Sequence, residues 1–212
     1  MRKNFGSFAA LSIATISAVA CASATAGQSQ STTASDTAKP IYTAADIEFM
    51  NGMISHHAQA LLMAGWAESH GASPSVQTLT QRIINAQKDE IAGMQKWLRD
   101  RHLPVPEPNP HGMTMNMAGM QHEMLMPGML SEDQLKQLDA ARSKEFDRLF
   151  LRFMIQHHQG AVTMVNNLFA TNGAAQDITV YKLASDISAD QTTEIERMQK
   201  MLASMVFETP TT

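Results

Sequence analysis

Adjacent histidines occur twice in this sequence, each time shortly after a methionine. Residues 53–60 read Met-Ile-Ser-His-His-Ala-Gln-Ala, and residues 154–161 read Met-Ile-Gln-His-His-Gln-Gly-Ala. Imidazole binds many transition metals, whereas the neutral thioether of methionine is a soft ligand that favours Cu(I). The repeated pairs therefore indicate a transition-metal site with a preference for copper.

A second repeated motif follows each histidine pair and contains a glutamate and a methionine. Residues 90–96 read Glu-Ile-Ala-Gly-Met-Gln-Lys, and residues 194–200 read Glu-Ile-Glu-Arg-Met-Gln-Lys. The chain is therefore a tandem repeat of one helical hairpin. A carboxylate at this place can bind a harder ion or orient a histidine ring by a hydrogen bond.

Helical geometry brings the candidate ligands of each half onto one face. At about 100° per residue, His57 lies about 40° to one side of Met53 and His56 about 60° to the other. Asp46 and Asp147 fall in the same stripes. The predicted metal ligands are Met53, His56, His57, Met63, Glu90 and Met94 in the first half and Met154, His157, His158, Met164, Glu194 and Met198 in the second.

Packing is the competing interpretation of these residues. The methionines stand at helical core spacing, and methionine commonly fills gaps in cores. A duplicated histidine pair can also have a purely structural role, with one histidine per half bonding a neighbouring helix. Adjacent histidines are not expected to point into a core together, and histidine is the commonest metal ligand, so we favour metal binding. Whether the pairs form one site or two stays open.

A methionine-rich segment joins the two halves and is a separate signal. Its candidate ligands are Met113, Met115, Met117, Met120, His122, Met124 and Met126. Glycine and proline interrupt the segment, and no stretch of the chain is predicted to form a strand. We expect a mobile loop that captures Cu(I). A floppy apolar link and a plastic surface for peptides are the alternatives.

The first residues are typical of a secretory signal. Arg2 and Lys3 precede an apolar stretch over residues 8–22, and small residues end at Ala26. We predict a signal peptide over 1–26, a disordered tether over 27–42, and a periplasmic or secreted location. The apolar stretch is too short for a comfortable span, so no transmembrane segment is expected after processing. A lipid anchor at Cys21 is the minority alternative.

Composition narrows the possible partners. Cys21 is the single cysteine, so the processed chain would have none, and methionine must supply any soft ligand. Loss of Arg2 and Lys3 from the 16 basic residues leaves 14 against 20 acidic ones, a formal charge of −6. That charge argues against nucleic acid as a partner.

Apolar spacing predicts long helices that position these residues. Thr43 and Ser73 with Pro74 begin the first two helices, and Ser131 begins a later helical stretch. Two further helices are expected over about 144–170 and 175–206. The fold class is therefore all-α, an up-down four-helix bundle over 43–206. Repeat one covers 43–102, the Pro- and Met-rich link 103–130, and repeat two 131–206. His70 and His102 are expected at the surface.

The chain resembles the exported proteins named for the domain of unknown function 305. Residues 46–63 and 87–98 carry the resemblance, and they recur as 147–164 and 191–202, so about 43–205 is covered. The resemblance implies a ferritin-like bundle and, for some members, copper binding or tolerance. The chain departs from its own repeat at Met201, where the first half has Trp97.

These observations predict an exported copper-binding protein that sequesters, buffers or hands on copper ions and is not an enzyme. Cu(I) is favoured and Cu(II) is possible, with another copper-handling protein as a candidate partner. The first alternative is a metal-dependent oxidase, for which only Asp46, Glu90, Asp147 and Glu194 offer carboxylates. The second is a metal-free, methionine-rich module that binds peptides.

Overall fold

The computed structural model describes residues 41–117 and 120–207, leaving the side chains of 114–123, 206 and 207 undescribed. The elements are α1 (Ala44–Gly65), α2 (Pro74–Asp100), β1 (Met113–Met117), β2 (Met120–Met124), α3 (Glu132–Ala140), α4 (Ser143–Ala170) and α5 (Ile178–Phe207). The predicted signal peptide and residues 27–40 of the predicted tether lie outside the described residues. None of the described helices combines the length and apolar character needed to cross a membrane.

Four long helices form the predicted bundle. Helix α1 packs on α2, α4 packs on α5, and the two hairpins meet where α1 contacts α4. Capping boxes at Thr43 and Ser131 begin α1 and α3. Helix α2 begins at Pro74 without a side-chain cap from Ser73. The all-α bundle of two repeated hairpins is confirmed, and α3 belongs to the connection and packs on α4.

The methionine-rich link contains a β-hairpin, which the sequence analysis did not expect. Strands β1 and β2 pair antiparallel, with Met113 opposite Met124 and Met115 opposite His122. The alternation Met-Thr-Met-Asn-Met has the period of a strand, but the glycines around it favoured a loop. The expectation that no stretch forms a strand was wrong at this segment.

Two apolar clusters fill the bundle on either side of the histidine pairs. One contains residues from 60–64 of α1 and 146–154 of α4. The other contains residues from 49–54 of α1 and 161–168 of α4. The C-terminal part of α1 thus packs on the N-terminal part of α4, and the N-terminal part of α1 packs on the C-terminal part of α4. The two histidine helices therefore run antiparallel, and their histidines meet between the clusters.

Two buried aspartates tie the start of each histidine helix to the opposite hairpin. Asp46 accepts a hydrogen bond from the backbone N–H of Ala175 at 2.7 Å, in the turn between α4 and α5. Asp147 accepts from the backbone N–H of Ser73 at 3.2 Å, just before α2. The carboxylates that share the histidine stripe in the sequence therefore bond backbone amides at helix ends.

One position of the repeat docks the link onto the bundle. Gln59 donates to the backbone carbonyls of Pro110 at 2.9 Å and Leu130 at 3.1 Å, and accepts from the Leu130 N–H at 2.6 Å. The equivalent residue in the second half is Gly160, where a β-carbon would lie 1.9 Å from the carbonyl oxygen of Pro127. The two halves differ here because each holds a different part of the link.

His70 is buried, contrary to the expectation that it lies at the surface. It is 5% exposed, and its Nε2 lies 2.9 Å from the backbone carbonyl of Asp139 at the end of α3. Its ring packs between Trp66 and Phe146. Its partner lies far along the chain, so no local pattern revealed this contact. His102 is exposed, as expected.

Candidate metal centre

The four paired histidines form one buried cluster. His56, His57, His157 and His158 each have no exposed surface. The rings of His56 and His157 lie 3.8 Å apart between centroids, at an interplanar angle of 37°. The two pairs therefore meet in the middle of the bundle, which the sequence left open. The expectation that adjacent histidines do not both enter a core was wrong, because each ring points to a different neighbour.

Hydrogen bonds fix the orientation of three of these rings. The Nε2–H of His57 donates to Glu90 Oε2 at 2.6 Å, and that of His158 donates to Glu194 Oε2 at 2.7 Å. The Nε2–H of His56 donates to the backbone carbonyl of Pro127 at 3.0 Å. Since a carbonyl can only accept, His56 must carry its proton on Nε2, which leaves Nδ1 with a free lone pair.

The other ring nitrogens lack a well-formed hydrogen bond. The Nδ1 atoms of His56, His57 and His158 are buried without a partner, and neither nitrogen of His157 has a bond of good geometry, although the backbone of His56 acts on that ring. Nearly all buried polar atoms in folded proteins are paired, and an exception calls for a ligand, ion or water. One nitrogen of neutral His157 carries the proton, so the cluster offers four nitrogen lone pairs, and this set fits a metal-binding role with Glu90 and Glu194 orienting two of the rings.

Burial lowers the pKa of three of these imidazoles and so keeps them neutral. Loss of solvation, then the nearby His57, lowers the pKa of His56 to about 3. Loss of solvation, then His56, lowers the pKa of His157 well below its ordinary value. The pKa of His158 is lowered by burial although Glu194 opposes the shift. Neutral imidazole is the form that binds metal, so His56, His157 and His158 need lose no proton to bind an ion at neutral pH.

The predicted methionines are brought together across the two halves. Each apolar cluster contains predicted ligands from both halves, and the two sets are Met53 and Met94 with Met164, and Met154 and Met198 with Met63. All except Met164 are fully buried. The sequence grouped Met63 and Met164 with the histidines of their own helix, but Met63 packs in the cluster of Met154 and Met198, and Met164 packs in that of Met53 and Met94.

Two further thioethers, Met113 and Met126, approach Met164 where the link crosses α1. A β-carbon on Gly52 would lie 3.3 Å from Met164 Cε and 3.5 Å from Met126 Cγ. It would also lie 3.6 Å from Met113 Sδ. These methionines, with Met124, line a cavity of about 320 Å³. The absence of a side chain at position 52 therefore leaves room for a thioether-lined site beside the histidine cluster.

Pro127 connects the two groups of candidate ligands. Its carbonyl binds His56, and the residue itself lines the thioether cavity next to Met126. Among the described residues, no three His, Cys, Asp or Glu side chains are grouped to hold an ion. A metal site here therefore needs thioethers or a shift of the rings. The side chains of Met115, Met117, Met120 and His122 lie outside the described residues, so their roles stay predictions.

Some residues that shape this centre were missed in the sequence. Gln59 and Gly160 stand at equivalent positions yet differ, and this break in the repeat was the available signal. Gly52 belongs to the first histidine motif and could have been singled out as a glycine inside a helix. Pro127 acts through its backbone carbonyl, which no side-chain pattern reveals.

Known structures resemble this chain over most of its length. A fragment of a DUF305 protein from Deinococcus radiodurans is 29% identical, with a TM-score of 0.63 over 77% of this chain and 98% of that one. A DUF305 protein of Streptomyces coelicolor, described as secreted, is 28% identical, with a TM-score of 0.62 over 76% and 93%. The protein CopM in its Cu(I)-bound form is 30% identical, with a TM-score of 0.57 over 76% and 96%. CopM has also been solved with Cu(II) and with silver.

Over a shorter region, the chain also resembles the uncharacterised protein L153 of Acanthamoeba polyphaga mimivirus. The two are 36% identical over 58 residues, which is 27% of this chain and 38% of the viral protein. The sequence model of the domain of unknown function DUF305 matches residues 46–202, which include both histidine pairs and the link. The chain therefore belongs to the DUF305 family.

Proposed function

We propose that this protein is exported and binds copper through the histidine cluster and the adjoining thioether cavity, to sequester, buffer or pass on the ion. The observation that carries the proposal is the group of unpartnered ring nitrogens on four buried histidines. Copper binding by CopM, which is about 30% identical over 76% of the chain, supports it. Export rests on the signal-like residues 1–26.

The two ligand groups suit different forms of the ion. Thioethers around Gly52 prefer Cu(I), whereas imidazole accepts both Cu(I) and Cu(II). Because Pro127 links them, an ion held by Met126 has a short path to His56. This arrangement supports a preference for Cu(I), with Cu(II) accepted by the histidines. Delivery to another copper-handling protein would use the exposed methionine of the cavity, Met124.

A binding role without turnover is favoured over an oxidase. Of the four carboxylates that an oxidase could recruit, Asp46 and Asp147 bond backbone amides at helix ends. The other two, Glu90 and Glu194, bind histidines. Oxygen consumption by the protein with Cu(I) or Fe(II), in proportion to protein concentration, would favour the oxidase.

The experiment is a competitive titration of the purified protein with Cu(I) against a colorimetric chelator. We expect stoichiometric binding that weakens when the four histidines are replaced by glutamine. Replacing Met113, Met126 and Met164 by leucine, which is similar in volume, should weaken it independently. His102→Gln, an exposed histidine, and Met50→Leu, a buried methionine of α1, are the matched controls.

Two outcomes would overturn the proposal. One is the absence of stoichiometric Cu(I) binding by the wild-type protein. The other is binding that survives both sets of replacements while circular dichroism reports an intact helical fold. A peptide-binding module would behave differently, because its apolar cavity should keep its function when methionine becomes leucine.

A further inference from the structure

A second cavity, lined by oxygen ligands, lies between α2 and α5. Its volume is about 140 Å³, and all its lining residues come from these two helices. The side chains in this lining that are suited to contact a charged ligand are Arg82, Gln87, Glu90, Asp190, Gln191 and Glu194. One water molecule takes up about 30 Å³ of liquid, so an ion and several waters fit inside.

Two buried amides line this cavity without partners. Gln87 and Gln191 are each 2% exposed and occupy equivalent positions in the two repeats. Both amide atoms of Gln87, and Oε1 of Gln191, lack a hydrogen bond. A buried amide normally finds a partner within the protein or in an ordered water. The two unpaired amide oxygens are therefore available to coordinate a cation.

The charge around the cavity favours a cation. Glu90, Glu194 and Asp190 bring three carboxylates, and Arg82 brings one guanidinium. The pKa of Asp190 is raised, first by loss of solvation and then by Glu90 and Glu194, so this carboxylate feels the charge of both others. A bound cation would relieve this repulsion, because each carboxylate would face an opposite charge.

We propose that this cavity binds a divalent cation that keeps its waters, which bridge it to the carboxylate and amide oxygens, because no three acidic side chains among the described residues are grouped to hold a bare ion. Cations such as Mn²⁺, Mg²⁺ and Ca²⁺ prefer oxygen ligands, and Mg²⁺ in particular keeps several of its waters. Glu90 and Glu194 give their Oε2 atoms to His57 and His158, which leaves both Oε1 atoms available to a cation. The site differs in ligand chemistry from the imidazoles and thioethers proposed for copper.

Mn²⁺ is a suitable probe, because the paramagnetic resonance signal of the hydrated ion falls when it binds a protein. We expect one Mn²⁺ per chain of metal-free protein, displaced by excess Mg²⁺ or Ca²⁺. Asp190→Asn should weaken binding about tenfold, because it removes a charge next to a divalent ion. Glu196→Gln, which removes an exposed carboxylate of α5 outside the cavity, should leave it unchanged.

A second variant separates an ion site from general acidity. Gln87→Leu removes the amide oxygen without changing charge, and it should weaken Mn²⁺ binding while the thermal unfolding temperature stays within a few degrees. Absence of Mn²⁺ binding, equal effects of Asp190→Asn and Glu196→Gln, or no effect of Asp190→Asn and Gln87→Leu would each overturn the proposal. Cu(I) affinity should not change in Asp190→Asn. Loss of Cu(I) binding alone would overturn the copper function and leave this site standing.

Discussion

The free nitrogen of each histidine decides what this centre can bind. In His57 and His158 the Nε2–H is committed to a glutamate, so each ring offers Nδ1 from a fixed orientation. Carboxylates that hold metal-binding histidines in this way fix the tautomer and raise the basicity of the ligand. Glu90 and Glu194 therefore act on copper through the rings in this account, rather than as direct ligands as the sequence suggested.

Replacing Glu90 by leucine tests this role. The substitution removes the acceptor of His57, so the ring loses its fixed orientation and Cu(I) affinity should fall by about 10- to 100-fold. Glu90→Gln keeps an acceptor oxygen, so the Cu(I) affinity of this variant should fall less. Competitive titration measures both, with Glu196→Leu, at an exposed position of α5, as the control. Equal affinities of wild type and Glu90→Leu would contradict the orienting role.

Burial of the histidines also makes the fold sensitive to acid. In the folded protein the pKa of His56 is about 3, set mainly by burial and by His57, against about 6.5 when unfolded. The unfolded chain binds more protons between these values, so stability is complete above pH about 6.5 and is lost as the pH falls toward 3. The pKa values of His157 and His158 are also lowered, so these residues likewise reduce stability in acid, although Glu194 opposes the shift of the His158 pKa.

The unfolding temperature of metal-free protein should therefore fall between pH 7 and pH 4.5. Other carboxylates contribute to any acid effect, so the informative quantity is the difference between wild type and a His56→Gln, His157→Gln variant. We expect a shallower fall in the variant, because it lacks two rings that must stay neutral. Parallel curves for the two proteins would show that burial does not suppress protonation of these rings.

Single residues differed in how far the sequence revealed them. The four histidines stood out because adjacent histidines in a repeat are unusual, and the structure brings them together. His70 was misjudged because its partner, Asp139, lies 69 residues away. Gln87 and Gln191 recur at equivalent positions, but only burial without a partner distinguishes them from ordinary helical glutamines.

Among the elements, the helices followed from local pattern and the link did not. Thr43 and Asp46 form a capping box within one turn, so the start of α1 could be recognised from four residues. The course of the link depends on contacts that are distant in sequence, such as Gln59 with Leu130. The local sequence of the link fits both strand alternation and glycine-rich turns. In the structure the link forms a hairpin that contacts α1, and residues 127–128 pack on α4.

Close packing of the link on α4 predicts the effect of a single methyl group. Gly160→Ala would place a β-carbon 1.9 Å from the Pro127 carbonyl oxygen, so the link must move away and its bond to His56 must weaken. We expect a loss of about 1–3 kcal/mol in the free energy of unfolding, measured in urea. Cu(I) affinity should fall as well.

Gly93→Ala in α2 is the matched control for this change. The nearest atom to its β-carbon is Leu183 Cδ1 at 4.0 Å, so the methyl group fits. Alanine is a better helix former than glycine, and this variant should gain about 0.5–1 kcal/mol. A Gly160→Ala protein as stable as wild type, with unchanged copper binding, would mean that the link is not held against α4.

For the whole molecule, the two repeats depend on each other. Each histidine helix is tied to the opposite hairpin, through Asp46 to Ala175 and through Asp147 to Ser73. Met63 also packs with Met154 and Met198, and Met164 packs with Met53 and Met94. A repeat in sequence predicts two similar hairpins, but it does not state how they face each other. The exchange of contacts between halves could therefore not be derived from the repeat.

Imidazole and thioether groups of this one chain are proposed to bind copper together, in the middle of the bundle. X-ray absorption at the copper edge of Cu(I)-loaded protein tests this most directly, because it reports the atoms bound to the ion. We predict imidazole nitrogen and sulfur scattering in the wild type. The imidazole signal should be lost in the four-histidine variant, and sulfur scattering should fall in the variant with leucine at positions 113, 126 and 164. A spectrum with oxygen neighbours alone, or one that neither variant changes, would contradict the account.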